Sequence, residues 1–403
     1  MTTDPLGDVV SQQYEKWVYP APIDDLEEWR RGNWQWFDPS HAHRLMWPDR
    51  DYRPGMDILI AGCGTNQGAV IAYTNPSARV VAIDVSSASL DHHRWLQEKY
   101  DLANLELHQL PIEKAASLDR DFDLIITTGV LHHMADPAAG MRALAGLLRP
   151  DGVLAVMLYA NYGRIGVQMM QSVFKDLGLQ QDEASLDVVR DAISQLSPLH
   201  PLASYLQIAP DLGDDAGVVD TFLHGREAAY SIDECRALVE NSGLVFQDLF
   251  LRASYYPPTP TTSPFFTAVA AMPREQQWSI MQRIHASNAC HYFLACRPER
   301  PVESYAIDFD SGAALDYVPS FRKACGLIGS AVRRHDGWTR EVTPLQAALV
   351  EHIDGRRSIT DIINVVTGSG TFARADRGEI AGVALDTCRS LWEQDFIAIG
   401  IRR

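Results

Sequence analysis

Short apolar runs alternate with longer amphipathic stretches across residues 51–160 of this chain. The apolar runs predict strands at about 57–61, 79–83, 104–108, 122–127 and 152–159. The stretches between them predict helices at about 67–75, 87–100, 111–118 and 137–148. Continuous apolar runs are typical of strands that are buried on both faces of a parallel sheet. This alternation therefore predicts an α/β fold with right-handed crossovers and helices on both faces.

Three other regions surround this pattern. Residues 1–50 are rich in large aromatic side chains, and we expect a helical segment that is a cap on the sheet, a lid over its site, or both. Residues 161–230 predict a helical insertion after the fifth strand, which would cover the crevice and shape a substrate pocket. The pattern resumes over 231–298, with a helix at 232–241, a strand at 244–251, a helix near 274–287 and a last strand at 290–296.

Residues 299–403 predict a separate small α+β domain. Thr343 before Pro344 indicates the start of a helix, because Pro is favoured at the first helical position. Further helices are predicted from Ser358 and over 379–392, with a closing strand at 396–401. Helices with a β-wing are typical of a winged-helix-like module, although this one lacks the basic face of a DNA-binding domain.

Composition and charge narrow the possible partners. The chain has 403 residues, a hydrophobic fraction of 46% and a net charge of −17, which disfavours a nucleic-acid partner. No apolar run reaches membrane-spanning length, and the first residues lack the features of a signal peptide, so no membrane partner is expected. Six scattered cysteines without a C-x-x-C pair indicate reduced thiols and no metal site, as expected for a cytoplasmic protein.

The first strand runs directly into a glycine-rich turn. Gly62 and Gly64 would let the backbone turn sharply and approach a ligand closely. Such glycine pairs also occur in ordinary turns, so the context has to decide. The second strand ends in Asp84, which suits the two hydroxyls of a ribose, or alternatively caps the next helix. The separation of the turn and this acid favours ribose binding.

The turn does not match a phosphate cradle. It lacks the G-K-[ST] of a P-loop, and Gln67 stands where a dinucleotide fingerprint has its third glycine. A ligand with a ribose, an adenine and an amino-acid tail but no phosphate fits better. The sequence therefore favours S-adenosylmethionine (SAM) as the cofactor.

At this point the chain resembles a known family. Residues 58–68, 81–90 and 122–137, followed by 147–152, are similar to the successive motifs of class I SAM-dependent methyltransferases, and the whole set resembles an uncharacterised bacterial group. The phrase Gly129-Val130-Leu131-His132-His133 is a specific marker among them. This resemblance implies a Rossmann-like seven-stranded methyltransferase sheet with an antiparallel last strand. The chain departs from the family pattern at Ile60, Asn66 and Gln109.

The resemblance also implies which residues contact the cofactor. Gly62 and Gly64 would approach its methionine and ribose portions, Asp84 would hold the ribose hydroxyls, and Gln109 with Leu110 would flank the adenine. The full predicted set is Ala61, Gly62, Cys63, Gly64, Asn66, Gln67, Asp84, Val85, Gln109, Leu110, Thr128, Gly129 and Val130.

Methyl transfer needs alignment of a nucleophile with the methyl group, and a base where the nucleophile is an oxygen or nitrogen. His133 and His132 are the predicted bases, although either could instead be structural. Tyr14, Tyr19 and Tyr159 are predicted either to orient the substrate or to stabilise the sulfonium through their ring faces. We expect a small-molecule acceptor with an O, S, N or C nucleophile.

Two other functions remain open from the sequence. The region Val350–Ile359 faintly resembles a peptide-binding winged-helix domain of the PqqD type, so a protein or peptide acceptor is the first alternative. A packing module or a possible homodimer contact is an equally good interpretation of the same region. A non-catalytic binding or scaffold protein is the remaining alternative.

Overall fold

The computed structural model describes residues 5–285, 288–368 and 371–402. The chain divides into two compact units. The first comprises the segment up to Phe37 together with Pro54–Asp248 and Gln282–Arg300. The second comprises Asp38–Arg53, Leu249–Met281 and the segment from Pro301 onward. The segments 38–53 and 249–281 therefore pack with the C-terminal part of the chain, whereas the sequence analysis placed them with the N-terminal segment and the sheet.

The first unit contains the predicted seven-stranded sheet. Its strands are β1 Asp57–Ala61, β2 Arg79–Asp84, β3 Leu105–Gln109, β4 Phe122–Thr128, β5 Leu148–Tyr159, β6 Val245–Leu249 and β7 Cys290–Cys296. The strand order is β3-β2-β1-β4-β5-β7-β6, with β1 to β5 parallel and β7 antiparallel to β5. The predicted fold class is confirmed, including the antiparallel strand.

The helices before residue 300 include those predicted between the strands of the sheet, together with others whose bounds were not predicted. They are α1 Val9–Lys16, α2 Leu26–Gly32, α3 Pro39–Met46, α4 Gln67–Thr74, α5 Ser87–Tyr100, α6 Pro137–Gly146, α7 Ile165–Asp176, α8 Glu183–Ser194, α9 Leu202–Leu206, α10 Asp215–Phe222, α11 Ile232–Glu240, α12 Pro264–Ala270 and α13 Arg274–Ile284. The helix predicted at 111–118 is a 3-10 helix, Ile112–Leu118. The end of the helix predicted near 287 lies outside the described residues.

The central strands are buried because each is covered on both faces. In β1, Ile58, Leu59 and Ile60 are fully buried, and Ile60 lies between Ala82 of β2 and Ile126 of β4. Ile60 thus completes an apolar layer at this position, and the structure gives no reason for the departure from the family pattern there. Because β2 and β4 both pair with β1 in parallel, the carboxyl ends of these three strands meet at one edge of the sheet.

The insertion at 161–230 has a hydrophobic core of its own. Val167, Met170 and Phe174 of α7 pack against α8, α9 and α10. Ile165 and Met169 lie on the opposite side of α7 and are 46% and 45% exposed. The apolar residues of α7 therefore lie on two sides of the helix, and those on one side are buried in the core of the insertion.

The second unit ends in a small α+β arrangement. Its strands are β8 Val318–Phe321, β9 Gly326–Ile328, β10 Ala331–Arg333, β11 Thr339–Glu341 and β12 Ile397–Gly400, and its last helices are α14 Pro344–Val350, α15 Ile359–Gly368 and α16 Arg377–Glu393. β9, β10 and β11 form an antiparallel sheet, and β12 pairs with β8. Thr343 caps α14 as predicted. The winged-helix and PqqD-like interpretation stays a prediction.

Across the described residues, none of the helices combines the length and apolar character that a membrane crossing requires.

Gly68 at the start of α4 provides a test of the packing between α4 and β2. A Cβ on this residue would lie 2.7 Å from the Cβ of Ala82 and 3.0 Å from Nε2 of His93. We expect Gly68→Ala to lower the free energy of unfolding by about 1–3 kcal/mol, because an overpacked core has to shift. Urea denaturation measures this change.

Gly146→Ala is the matched control, because a Cβ there would meet nothing within 4 Å. An equal loss of stability in both variants would contradict the packing argument.

Candidate active site

A cavity of about 640 Å³ lies in the first unit, where the carboxyl ends of β1, β2 and β4 meet. Its walls come from three parts of the sequence: the segment 8–35, the sheet edge with its loops, and the segment 214–226. Ligands of open α/β sheets bind at this edge. The cavity is therefore the candidate active site.

The glycine turn after β1 forms one wall. Gly62 and Gly64 have φ angles of +77° and +52°, a region that favours glycine. A Cβ on Gly62 would lie 2.3 Å from Cγ2 of Val130, and a Cβ on Gly64 would lie 2.9 Å from Cδ of Pro20. Both glycines are thus required by close neighbours as well as by the turn.

Asp84 lies beside this turn at the end of β2. Its Oδ2 accepts a hydrogen bond from the Gly64 amide at 2.8 Å, and its Oδ1 accepts one from the Ser86 amide at 2.9 Å. Burial raises the pKa of Asp84 to about 6, against the lowering effect of these hydrogen bonds. The N-cap of α5 is Ser86, whose side chain accepts from the Ser89 amide. Asp84 is therefore not the cap, and each of its oxygens keeps a lone pair for a ligand hydroxyl.

Residues 14–26, which we call the N-terminal strap, lie over the glycine turn. Asn66 holds the strap through both ends of its amide: Oδ1 accepts from the Ile23 amide and Nδ2 donates to the Ala21 carbonyl, each at 2.9 Å. The Thr65 hydroxyl donates to the Pro20 carbonyl at 2.7 Å. The family pattern has a glycine where this chain has Asn66. A glycine there would lack these contacts, so Asn66 has a structural role in holding the strap.

Most of the predicted cofactor residues come together in the cavity wall. Those that line it are Gly62, Cys63, Gly64, Asn66, Gln67, Asp84, Val85, Leu110, Thr128, Gly129 and Val130. Ala61 and Gln109 are not among the lining residues. Ala61 is fully buried in β1, and the Gln109 side chain donates to the Val85 carbonyl at 3.0 Å.

The two adjacent histidines have different positions. His133 lines the cavity, whereas His132 does not. The His132 ring is fully buried against Tyr159, and neither ring nitrogen has a hydrogen-bond partner. Burial lowers the pKa of His133 to about 3 and that of His132 well below its usual value. A lowered pKa makes each ring a weak base, and His132 in addition does not line the cavity.

The sequence analysis missed the most unusual ionisable group, Asp220 of α10. The Tyr14 hydroxyl donates to its Oδ1 at 2.8 Å, and the Tyr159 hydroxyl donates to its Oδ2 at 3.3 Å. Asp220 is 2% exposed and lines the cavity together with both tyrosines. Burial raises the pKa of Asp220 to about 7, and the hydrogen bond from Tyr14 acts against this rise. Tyr19, also predicted, lines the same cavity.

The peptide groups of Arg226 set the tautomers of two stacked histidines. His133 and His224 have ring centroids 3.8 Å apart. Nδ1 of His133 donates to the Arg226 carbonyl at 3.0 Å, since a carbonyl can only accept, so its Nε2 keeps a lone pair. The Arg226 amide donates to Nδ1 of His224 at 3.0 Å, so the hydrogen of that neutral ring is on Nε2.

These tautomers bear on metal binding. The ligand atoms of His133, Asp220 and His224 lie within 4.8 Å of one another, as a cation site would require. A metal binds the unprotonated nitrogen of a neutral imidazole, but Nε2 of His224 carries the hydrogen. It lies 3.3 Å from the Tyr14 hydroxyl, to which it can donate. We therefore assign no metal to this cluster.

Comparisons with known proteins agree with this geometry. Residues 59–154 match the family model described as a methyltransferase domain. The chain is 31% identical over 255 residues to an uncharacterised protein of Synechococcus sp., covering 60% of each chain. It is also 31% identical over 124 residues to a ubiquinone biosynthesis O-methyltransferase of Acinetobacter baylyi, covering 29% of this chain and 51% of the relative. The chain thus spans between half and two thirds of the length of these relatives.

The fold is also found among solved structures. PKMT2 from Rickettsia typhi superposes with a TM-score of 0.65 at 15% identity, covering 91% of this chain and 75% of that chain. The same protein in complex with AdoHcy gives a TM-score of 0.64, covering 90% and 75% of the two chains. These structures show that the fold is shared, and the family match over residues 59–154 supports the predicted methyltransferase class and the cofactor SAM for that stretch.

Asn66 provides a test of the strap. We expect Asn66→Ala to raise amide hydrogen exchange across residues 17–25, because two hydrogen bonds of about 1 kcal/mol each are lost. Mass spectrometry of exchanged peptides measures this change. Asn33→Ala is the control, since the Asn33 side chain donates a hydrogen bond to the Trp29 carbonyl within its own helix end. Unchanged exchange in Asn66→Ala would contradict the assigned contacts.

Asp84 provides a test of cofactor binding. We expect Asp84→Asn to weaken SAM binding about tenfold to hundredfold, because hydrogen bonds to a charged group are lost. In the unaltered protein, affinity should fall as the pH drops through about 6, where the Asp84 carboxylate takes up a proton. Calorimetry at several pH values measures both effects.

Asp91→Asn, on the exposed surface of α5, is the control for charge removal. SAM affinity that is insensitive to Asp84→Asn would overturn the ribose assignment.

Proposed function

We propose that the whole protein is a SAM-dependent methyltransferase acting on a small-molecule acceptor whose nucleophile is an O–H or N–H group. The observation that carries this proposal is the buried Asp220 carboxylate, which shares one cavity with the cofactor residues. A carboxylate with a pKa near 7 is suited to accept a proton at neutral pH. A thiolate or a carbanion would not need such a group.

The residues present fit the cofactor. Asp84 would hold the ribose hydroxyls, and Gly62 and Gly64 line the same cavity beside it. Leu110 and Ile112 offer an apolar surface beside them. Bound SAM would supply a methyl carbon whose bond to sulfur breaks, with the electron pair staying on sulfur, as an acceptor lone pair forms the new bond.

Asp220 would take the proton that the acceptor nitrogen or oxygen loses. Its two oxygens already accept from Tyr14 and Tyr159, and each retains a lone pair for the acceptor. Because the cavity excludes much of the solvent around this carboxylate, the proton of the acceptor would pass to Asp220 rather than to bulk water. His133 would contribute its Nε2 as a hydrogen-bond acceptor rather than as the main base, because its ring is weakly basic.

A small acceptor is supported by the size and the covering of the cavity. Its volume of about 640 Å³ falls within the range of about 300–1,000 Å³ typical of small-molecule sites. The N-terminal strap covers the glycine turn on one side. The insertion supplies Asp220 from α10 on the other side. Both coverings belong to the first unit, so the proposal does not depend on the C-terminal α+β region.

Asp220→Asn tests the proposed base. We expect methyl transfer to fall about 10²- to 10⁴-fold, while SAM affinity stays within about threefold, since the amide cannot accept the proton. The unaltered protein should lose activity as the pH falls through about 7, where Asp220 becomes protonated. Formation of S-adenosylhomocysteine, measured with a panel of small amines, phenols and hydroxy acids, gives the rates.

Asp215→Asn is the matched control on the same helix, because Asp215 pairs with Arg190 at the surface. Full activity in Asp220→Asn would overturn the role of the carboxylate. Turnover with peptide acceptors alone would overturn the small-molecule proposal in favour of a protein substrate. Absence of turnover with any acceptor, despite SAM binding, would favour a non-catalytic binding protein.

A further inference from the structure

A directed chain of hydrogen bonds leads from the loop after α10 to the Asp220 carboxylate. The Arg226 amide can only donate, so Nδ1 of His224 accepts and Nε2 carries the hydrogen. Nε2 lies 3.3 Å from the Tyr14 hydroxyl oxygen. That hydroxyl lies 2.8 Å from Oδ1 of Asp220. While the Asp220 carboxylate is ionised, each link therefore donates in one direction only, from Arg226 towards Asp220.

We propose that His224 is a positioning residue that directs the Tyr14 hydroxyl to donate to Asp220. Without His224, the hydroxyl hydrogen could rotate away from the carboxylate. When the His224 ring is neutral, its Nε2–H points at the phenol oxygen of Tyr14. The Tyr14 hydroxyl hydrogen is then excluded from pointing at His224 and away from Asp220. The proposal rests on the proposed function, because it concerns the group that would accept the proton.

The neutral state of His224 is part of this arrangement. Burial, followed by the neighbouring His133 ring, lowers the pKa of His224 well below its usual value. The ring is therefore neutral near pH 7, and a single tautomer satisfies both of its contacts. His133 stacks on it with an interplanar angle of 18° and is held by the Arg226 carbonyl. The peptide groups of one residue thus orient both rings.

The loop that carries these groups is anchored on both sides. The Arg226 side chain donates through Nε to the His133 carbonyl at 2.9 Å and forms an ion pair with Asp8. The Ala228 amide donates to the His132 carbonyl at 2.9 Å. Arg226 therefore connects α1, the loop after β4 and the segment after α10. His224 is held in place by this frame and has no need of contact with the acceptor.

The charged and titratable groups around Asp220 come from several elements. Tyr14 lies on α1, Tyr159 on β5, and Arg164 just before α7; Glu227 follows α10. Arg164 and Glu227 form a buried ion pair at 2.9 Å. Hydrogen bonding from Tyr14 lowers the pKa of Asp220, so losing that donation should raise it. The other neighbours are unchanged in the variants below.

The test is the titration of Asp220 in the full-length protein, followed by carbon-13 NMR of labelled aspartate and assigned with Asp220→Asn. We expect His224→Leu to raise the titration midpoint of Asp220. We expect His224→Gln to leave it close to that of the unaltered protein, because the glutamine amide can donate from the position of Nε2. Tyr14→Phe should raise the midpoint, since the donor itself is removed.

The double variant His224→Leu with Tyr14→Phe separates positioning from packing. If His224 acts through Tyr14, the double variant should titrate like Tyr14→Phe alone, since coupled residues are not additive. An additional shift in the double variant, or an unchanged midpoint in His224→Leu, would overturn the proposal. A shift in His224→Gln equal to that in His224→Leu would overturn it as well.

The activity measurement distinguishes this proposal from the proposed function. With an accepted small-molecule substrate, His224→Leu should lower the rate about fivefold to tenfold, as expected for one hydrogen bond, and move the acidic limb of the pH profile upward. His224→Gln should restore both. If no acceptor is methylated, the proposed function fails, whereas the titration still decides the role of His224.

Discussion

Burial of charge is the constraint on which the rest of this active site depends. A carboxylate removed from water is costly unless donors replace the solvent. The cavity contains two such groups, Asp84 and Asp220, and each has a donor at both of its oxygens. The donors are backbone amides for Asp84 and phenol hydroxyls for Asp220. This difference matches their proposed roles, since a rigid backbone suits ribose binding and a polarisable pair of hydroxyls suits a group that gains and loses a proton.

The fold was largely predictable because its signals are local. Five continuous apolar runs predicted the parallel strands within a few residues, and the helix predicted at 232–241 begins with a capping box formed by Ser231 and Glu234. The exceptions are also local. Strand β5 begins at Leu148, because Leu148 pairs with Phe122 before the bulge in the ladder. The helix before it accordingly ends earlier than expected.

The candidate site was predictable only on its cofactor side. The glycine turn and Asp84 lie close together in the sequence, at the ends of two neighbouring strands. Their positions in the cavity could therefore be predicted from one short stretch. Asp220 is one of several acidic residues in the segment 214–220, and only the packing of the insertion shows that it is buried while Asp215 is exposed. Adjacent histidines likewise look equivalent in a sequence, but their rings have different neighbours. Asn66 looked like a departure from the family pattern until its contacts with the strap were visible.

The contact between Tyr14 and Asp220 joins residues 206 positions apart in the chain. Bringing residues of such separation together closes a long loop, which costs chain entropy. The cofactor side depends on a continuous stretch, from the glycine turn to the loop after β4. During synthesis, the cofactor side can be assembled before Asp220, whose carboxylate completes the cavity, has been added to the chain. The order of residues along the chain therefore places Asp220, the proposed proton acceptor, after the cofactor side of the site.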